Sequence, residues 1–284
     1  MIKRILVALD PDPDTPIATR YAIRLARRFD ATLTGLALID MGNIHASVGT
    51  GGIGTIYYAE QIREYLTEET RTEAKKLLDS FNEMVAEAGI EHATEIEEGV
   101  PYERIIEELK YHDLLVLGRD SHFFYSRPEK ETKTLANVIK KSIAPSLIVT
   151  ENYREIERVM VAVDESGASA RTLQSFVHLL PYGKSIDIEL VNVVDEESKS
   201  GWEKARLLLG LSAQYLKAHG FEYVTESIFE KERPGTRLLK AVENSEPDLV
   251  LLGAHSMSAI KRATLGSTTY DLITKSPVPL FVNN

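Results

Sequence analysis

The side chains best placed to hold a phosphate group stand in one short stretch. Gly253 closes the apolar run DLVLLG, Ser256 follows, and after nine further residues come Gly266, Ser267 and Thr268 at the start of a helical segment. A helix start offers unpaired backbone N–H groups and a partial positive charge, while glycine admits close approach and hydroxyls add donors. The same residues also read as a tight strand exit with Ser267 or Thr268 capping the helix. Spacing alone leaves both readings open. A second apolar run, ERVMVAVD, ends in Asp164, a carboxylate at the carboxyl end of a strand.

These features occur twice. KRILVALD ends at Asp10 as ERVMVAVD ends at Asp164, DLLVLG ends at Gly118 as DLVLLG ends at Gly253, and KKSIAPSLIV answers TKSPVPLFV. The chain therefore reads as two copies of one domain, 1–152 and 153–284. Each copy falls within the usual size of roughly 100 to 200 residues per domain. From Asp10 to Gly118 is 108 positions against 89 from Asp164 to Gly253, so the first copy carries 19 extra residues. They fall in 41–60, where four glycines between Gly49 and Gly54 predict a mobile surface loop.

Composition narrows the function classes. There is no cysteine, which excludes disulfides, thiolate catalysis and cysteine metal sites. A net charge of −10 argues against nucleic acid, whose phosphates call for clustered Lys and Arg. The apolar runs fall short of the roughly 18 residues of a membrane span, and no signal peptide is evident, so a cytoplasmic protein is expected. The seven histidines show no metal-ligand spacing, and neither a Walker sequence nor a Gly-x-Ser-x-Gly elbow occurs. No catalytic residue and no metal site is assigned.

The elements that must position these residues alternate. In the second copy strands are expected over 157–164, 185–194, 222–229, 248–253 and 279–283, with helices over 168–180, 201–219, 234–245 and 266–276. The first copy repeats the strands near 3–10, 32–40, 92–97, 113–118 and 145–150, with a long helix over 59–88 closed by Gly89. This order predicts an α/β fold of two tandem doubly wound domains. Each has a five-stranded parallel sheet, order 3-2-1-4-5, with helices on both faces. Ligands of such sheets bind beyond the carboxyl ends of the strands where the order reverses, which brings the loops after Asp164 and Gly253 together.

On these residues the chain resembles the universal stress protein family in its tandem form. The family's motif is G-x2-G-x9-G-[ST] after the fourth strand, with an Asp ending the first strand against adenine. Asp164, Gly253, Gly266 and Ser267 match it, and Ser256 replaces the second glycine. The resemblance implies ATP, or AMP or ADP, with Mg²⁺, in the second copy. Asp164 would hold the adenine and Val193 would pack on the base or ribose. Gly253, Ser256, Gly266, Ser267 and Thr268 would line the ribose and phosphates. It further implies pairing of the two halves through their last strands as an intrachain pseudo-dimer, with homodimerisation as a further possibility.

The first copy departs from the motif. Gly118 and Ser121 align with Gly253 and Ser256, but Thr132 and Lys133 stand where Gly266 and Ser267 do. Asp10 keeps the adenine position, while Asp12 and Asp14 crowd the same loop, which reads as a proline-rigidified turn with Asp14 or Thr15 capping the first helix. This predicts a degenerate pocket, with the inserted loop placed as a lid, a docking surface or a plain insertion. Three functions follow: a nucleotide-dependent stress-response switch, a weak ATPase or nucleotide-dependent enzyme with Lys261 and Arg262 as the candidate cations, and a scaffold without nucleotide.

Overall fold

The computed structural model describes residues 1–47, 56–119, 134–194, 199–230, 233–254 and 266–284. Among them strands and helices alternate through both copies, giving an α/β protein with helices on both faces of parallel sheets. Two compact bodies emerge, one of Lys3–Val138 and one of Met1–Ile2 with Ile139–Asn284.

In the first body β1 (Arg4–Leu9) lies between β2 (Thr32–Asp40) and β4 (Leu114–Gly118), and β3 (His92–Gly99) pairs with β2, all parallel. The central strands are apolar because both faces are covered. Ile5 to Ala8 and Leu115 to Leu117 are fully buried. Helix α1 (Thr15–Phe29) presents Ala18, Ala22, Leu25 and Ala26 inward.

The insertion differs from its expectation. Residues 41–60 include helix α2 (Met41–Ser47) and the start of α3 (Ile56–Glu87), and Ile44 of α2 is 2% exposed. Its first part is thus a packed helix rather than a surface loop. Ile44, ahead of the glycine run, is its apolar anchor. The lid reading covers Gly49–Tyr58: residues 49–55 lie outside the described residues, and 56–58 are the opening of α3, with Tyr57 and Tyr58 exposed.

Helix α3 buries Ala74, Leu78, Phe81 and Val85, spaced at successive turns of one face. It ends near Gly89, as α7 (Lys199–Ala218) ends near Gly220; both glycines have left-handed backbone, at φ +69° and +86°. Helices α4 (Pro101–Leu109) and α5 (Thr134–Lys141) complete the first copy's helices among the described residues.

In the second body β6 (Arg158–Ala162) lies between β7 (Asp187–Val194) and β9 (Leu249–Gly253). β8 (Val224–Glu230) flanks β7 and β10 (Leu280–Asn283) flanks β9. All these pairs are parallel, which is the order 3-2-1-4-5 within the copy. Helices α6 (Gly167–Leu179), α7, α8 (Pro234–Ser245) and α9 (Ser267–Lys275) make the crossovers. On its other side β10 pairs antiparallel with β5 (Ser146–Val149), so the last strand of the first sequence copy belongs spatially to the second body.

One device fixes the strands that flank the site. Asp113, ahead of β4, accepts hydrogen bonds at Oδ2 from the N–H groups of Lys3 (2.7 Å) and Arg4 (3.0 Å). Asp248, ahead of β9, accepts from Glu157 (3.1 Å) and Arg158 (2.9 Å) in the same way. In each copy a carboxylate at the amino end of the fourth strand registers it against the first.

Candidate functional site

The loop after the first strand has the same construction in both copies. The N–H of Asp164 donates to Ser169 Oγ (3.2 Å), and Asp164 Oδ1 accepts from Ser166 N–H (2.8 Å). The N–H of Asp10 donates to Thr15 Oγ1 (3.1 Å), and Asp10 Oδ1 accepts from Asp12 N–H (3.1 Å). A short aspartate turn of this kind holds one carboxylate oxygen against the loop that follows the strand.

The outcomes diverge. Asp164 is exposed and lines a cavity, whereas Asp10 is 1% exposed and Asp14 2%. Asp10 borders a space of about 180 Å³ closed by Pro11, Pro13 and the α3 residues Leu77, Phe81 and Met84. A Cβ on Gly118 would fall inside the Asp14 carboxylate. The first copy therefore fills with its own acid the space beside its fourth-strand glycine. Asp14 does occupy the N-cap of α1, but its side chain makes no capping hydrogen bond. Ser121, Thr132 and Lys133 lie outside the described residues.

In the second copy a cavity of about 260 Å³ opens at the carboxyl ends of β6, β7 and β9. Asp164, Val193, Gly253, Gly266, Ser267 and Thr268 all line it, brought together from four elements of the chain. Ser256 lies outside the described residues, as do Lys261 and Arg262. The walls at the ends of β6, β7 and β9 are largely apolar, with Val163, Val191 and Leu252 among their residues. The opposite side is the first turn of α9, where Gly266 is the N-cap and has no side-chain capping bond. Ser267 and Thr268 thus stand inside the helix rather than capping it, and the N–H groups of that turn form the anion-favouring end of the helix dipole.

Gly253 has a structural reason of its own. A Cβ there would meet the backbone nitrogen of Ser169 and stand 2.7 Å from the carbonyl carbon of Ala168, so α6 packs directly on the end of β9. Thr269 Oγ1 donates to the Gly253 carbonyl (3.3 Å) and ties α9 to the same point.

Several lining residues escape a sequence reading. Asn192, 9% exposed, donates from Nδ2 to the Val163 carbonyl (2.7 Å) and closes the floor of the cavity. Its signal is a lone amide in the apolar strand SIDIELVNVV. Pro234 and Leu238, from α8, carry no polar signal at all. Asp164 is the only ionisable side chain among the described lining residues.

The match to known proteins decides the family. The model of the Universal stress protein family matches twice, over residues 1–150 and 155–283. This chain belongs to that family. Among universal stress proteins it is similar to Slr1230 of Synechocystis, 23% identical over 98% of this chain and 99% of that protein. It is also similar to MJ0531 of Methanocaldococcus jannaschii, 30% identical over 55% of this chain and 86% of the relative. A universal stress protein structure from Archaeoglobus fulgidus shares the fold across 99% of this chain and 96% of its own, with TM-score 0.67 at 19% identity. Among the described residues no helix is long and apolar enough to cross a membrane.

Proposed function

We propose that the second copy binds an adenine nucleotide, ATP or its mono- and diphosphate relatives, and that occupancy makes this universal stress protein a nucleotide-dependent switch for a partner. The observation that carries this reading is the convergence of Asp164, Val193, Gly253, Gly266, Ser267 and Thr268 on one cavity at the reversal of strand order. The groups suit the ligand. A largely apolar cavity of about 260 Å³ suits a base and its ribose, Asp164 would supply an acceptor for an exocyclic amine, and the α9 start would receive phosphate. Mg²⁺ would enter as the nucleotide complex.

We read binding rather than turnover here because the described lining assigns no general base at the phosphates. Hydrolysis requires a positioned base and a cation at the terminal phosphate. The sole described ionisable side chain in the wall, Asp164, belongs to the base end in this reading.

Isothermal titration with ATP and Mg²⁺, after denaturation and mass spectrometry to detect nucleotide carried through purification, tests the proposal. The expected result is one site per chain, lost in Gly266→Val. Retained affinity in that variant removes the assigned site. No binding and no carried nucleotide favours a scaffold.

A further inference from the structure

The described lining of the cavity carries no cationic side chain, and Arg233 stands next in the chain to its lining residue Pro234. Arg233 is the N-cap of α8, and the next residue, Pro234, lines the cavity. Arg233 Nη2 lies 3.0 Å from Asp271 Oδ2, with the arginine side chain 58% exposed and that of Asp271 9%. Asp271 is on α9, one turn beyond Ser267 and Thr268. It also abuts the start of α8, since a Cβ on Gly235 would stand 2.6 Å from Oδ2. The ion pair therefore joins the start of α8 to the second turn of α9, the two helices whose first residues line the cavity.

The pair is built so that one member can leave. Asp271 Oδ1 lies 3.5 Å from Lys275 Nζ, and its Oδ2 rests against the first turn of α8, whose dipole favours a negative charge. Withdrawal of Arg233 would leave that nearly buried carboxylate still paired, avoiding the penalty of an uncompensated charge. Arg233 itself is more than half exposed, and its planar fork suits phosphate oxygens.

Resting on the adenine-nucleotide reading of this cavity, we infer that Arg233 reads the length of the phosphate chain, exchanging Asp271 for the β and γ phosphates of a bound nucleotide. A nucleoside or monophosphate ends at the α9 start and leaves the Arg233–Asp271 pair closed. A di- or triphosphate reaches the guanidinium and opens the pair. Because that pair joins α8 to α9, the phosphate count is converted into a change at the surface between the two helices.

The experiment is titration of the full chain with adenosine, AMP and ATP, in wild type and in Arg233→Gln. A charge-assisted hydrogen bond is worth roughly tenfold or more in affinity. Wild type should bind ATP tighter than AMP by at least about that factor, and Arg233→Gln should erase the difference while keeping AMP affinity. Lys275→Gln serves as a second variant: it removes the other partner of Asp271, binds Arg233 to its carboxylate, and should narrow the same preference. Equal loss of AMP and ATP affinity in Arg233→Gln, or no loss of either, overturns the role of Arg233 while leaving the cavity assigned. Wild type that binds none of the three overturns the nucleotide reading itself, and this inference with it.

Discussion

Gly253 carries the backbone of Ser169 against its own α-carbon, with the Ser169 Cα only 2.8 Å from where a Cβ would stand. The first glycine of the motif is thus a packing residue between β9 and α6 before it is anything for a ligand. Gly253→Ala forces α6 off the sheet, and overpacking of this kind costs about 1 to 3 kcal/mol. Thermal melting without nucleotide should show the loss. Reduced ligand affinity in this variant then reports a damaged fold, whereas an unchanged melting temperature removes the packing role.

Gly266 is the cleaner probe of the cavity. Its backbone, φ −57° and ψ 149°, is accessible to any L residue, so Gly266→Val keeps the chain path. Replacing an N-cap glycine costs on the order of 1 kcal/mol. ATP affinity should fall by tenfold or more with a melting shift of only a few degrees; unaltered affinity on titration refutes the site.

The two strand-end aspartates should behave oppositely. Asp164→Asn retains the Oδ1 that accepts from Ser166 N–H, so the turn survives while the exposed charge is lost. Nucleotide affinity should drop roughly tenfold, the worth of one charge-assisted contact. Asp10→Asn, at a position 1% exposed, should leave affinity and stoichiometry unchanged. A second equivalent of bound ATP lost in Asp10→Asn would show that the first copy binds as well.

His112 predicts an acid-side loss of stability. Its Nδ1–H donates to the Glu108 carbonyl (2.7 Å) and its Nε2 accepts from Thr34 Oγ1 (3.0 Å), which fixes the neutral ring. Burial holds its pKa below the ordinary 6.5, and Arg4 lowers it further. The Glu108 carbonyl bond, Glu95 and Asp113 oppose the shift. The unfolded chain therefore binds the extra proton, and this contribution to stability, complete above 6.5, drains away as pH falls toward and through the lowered value. Denaturant melts of wild type and His112→Gln should converge between neutral and mildly acid pH. A constant difference would exclude the mechanism.

Much of this architecture was written in the residue pattern, for a physical reason. The strands ending near Asp164 and Gly253 are sandwiched between helix layers, so burial on both faces leaves continuous apolar runs that stand out. The apolar runs and the helix start located Asp164, Gly253, Gly266 and Ser267, while their reading as a nucleotide site came from the family resemblance rather than from spacing. Helix α2 was hidden by its neighbours, since seven residues ahead of a glycine run give too little periodicity to recognise. The pairing of Arg233 with Asp271 has no local signature at all. Tertiary packing alone brings those two positions together, and Pro234 and Leu238 reach the cavity by the same route.

The strand β5 separates two meanings of the word repeat. By ancestry it closes the first copy, yet its hydrogen bonds to β10 place it in the other body. A gene cut at the repeat boundary would carry off the antiparallel neighbour of β10 and leave a bare apolar ladder on the excised half. β10 thus holds a ladder on each side, parallel to β9 of its own copy and antiparallel to a strand that the other copy encodes.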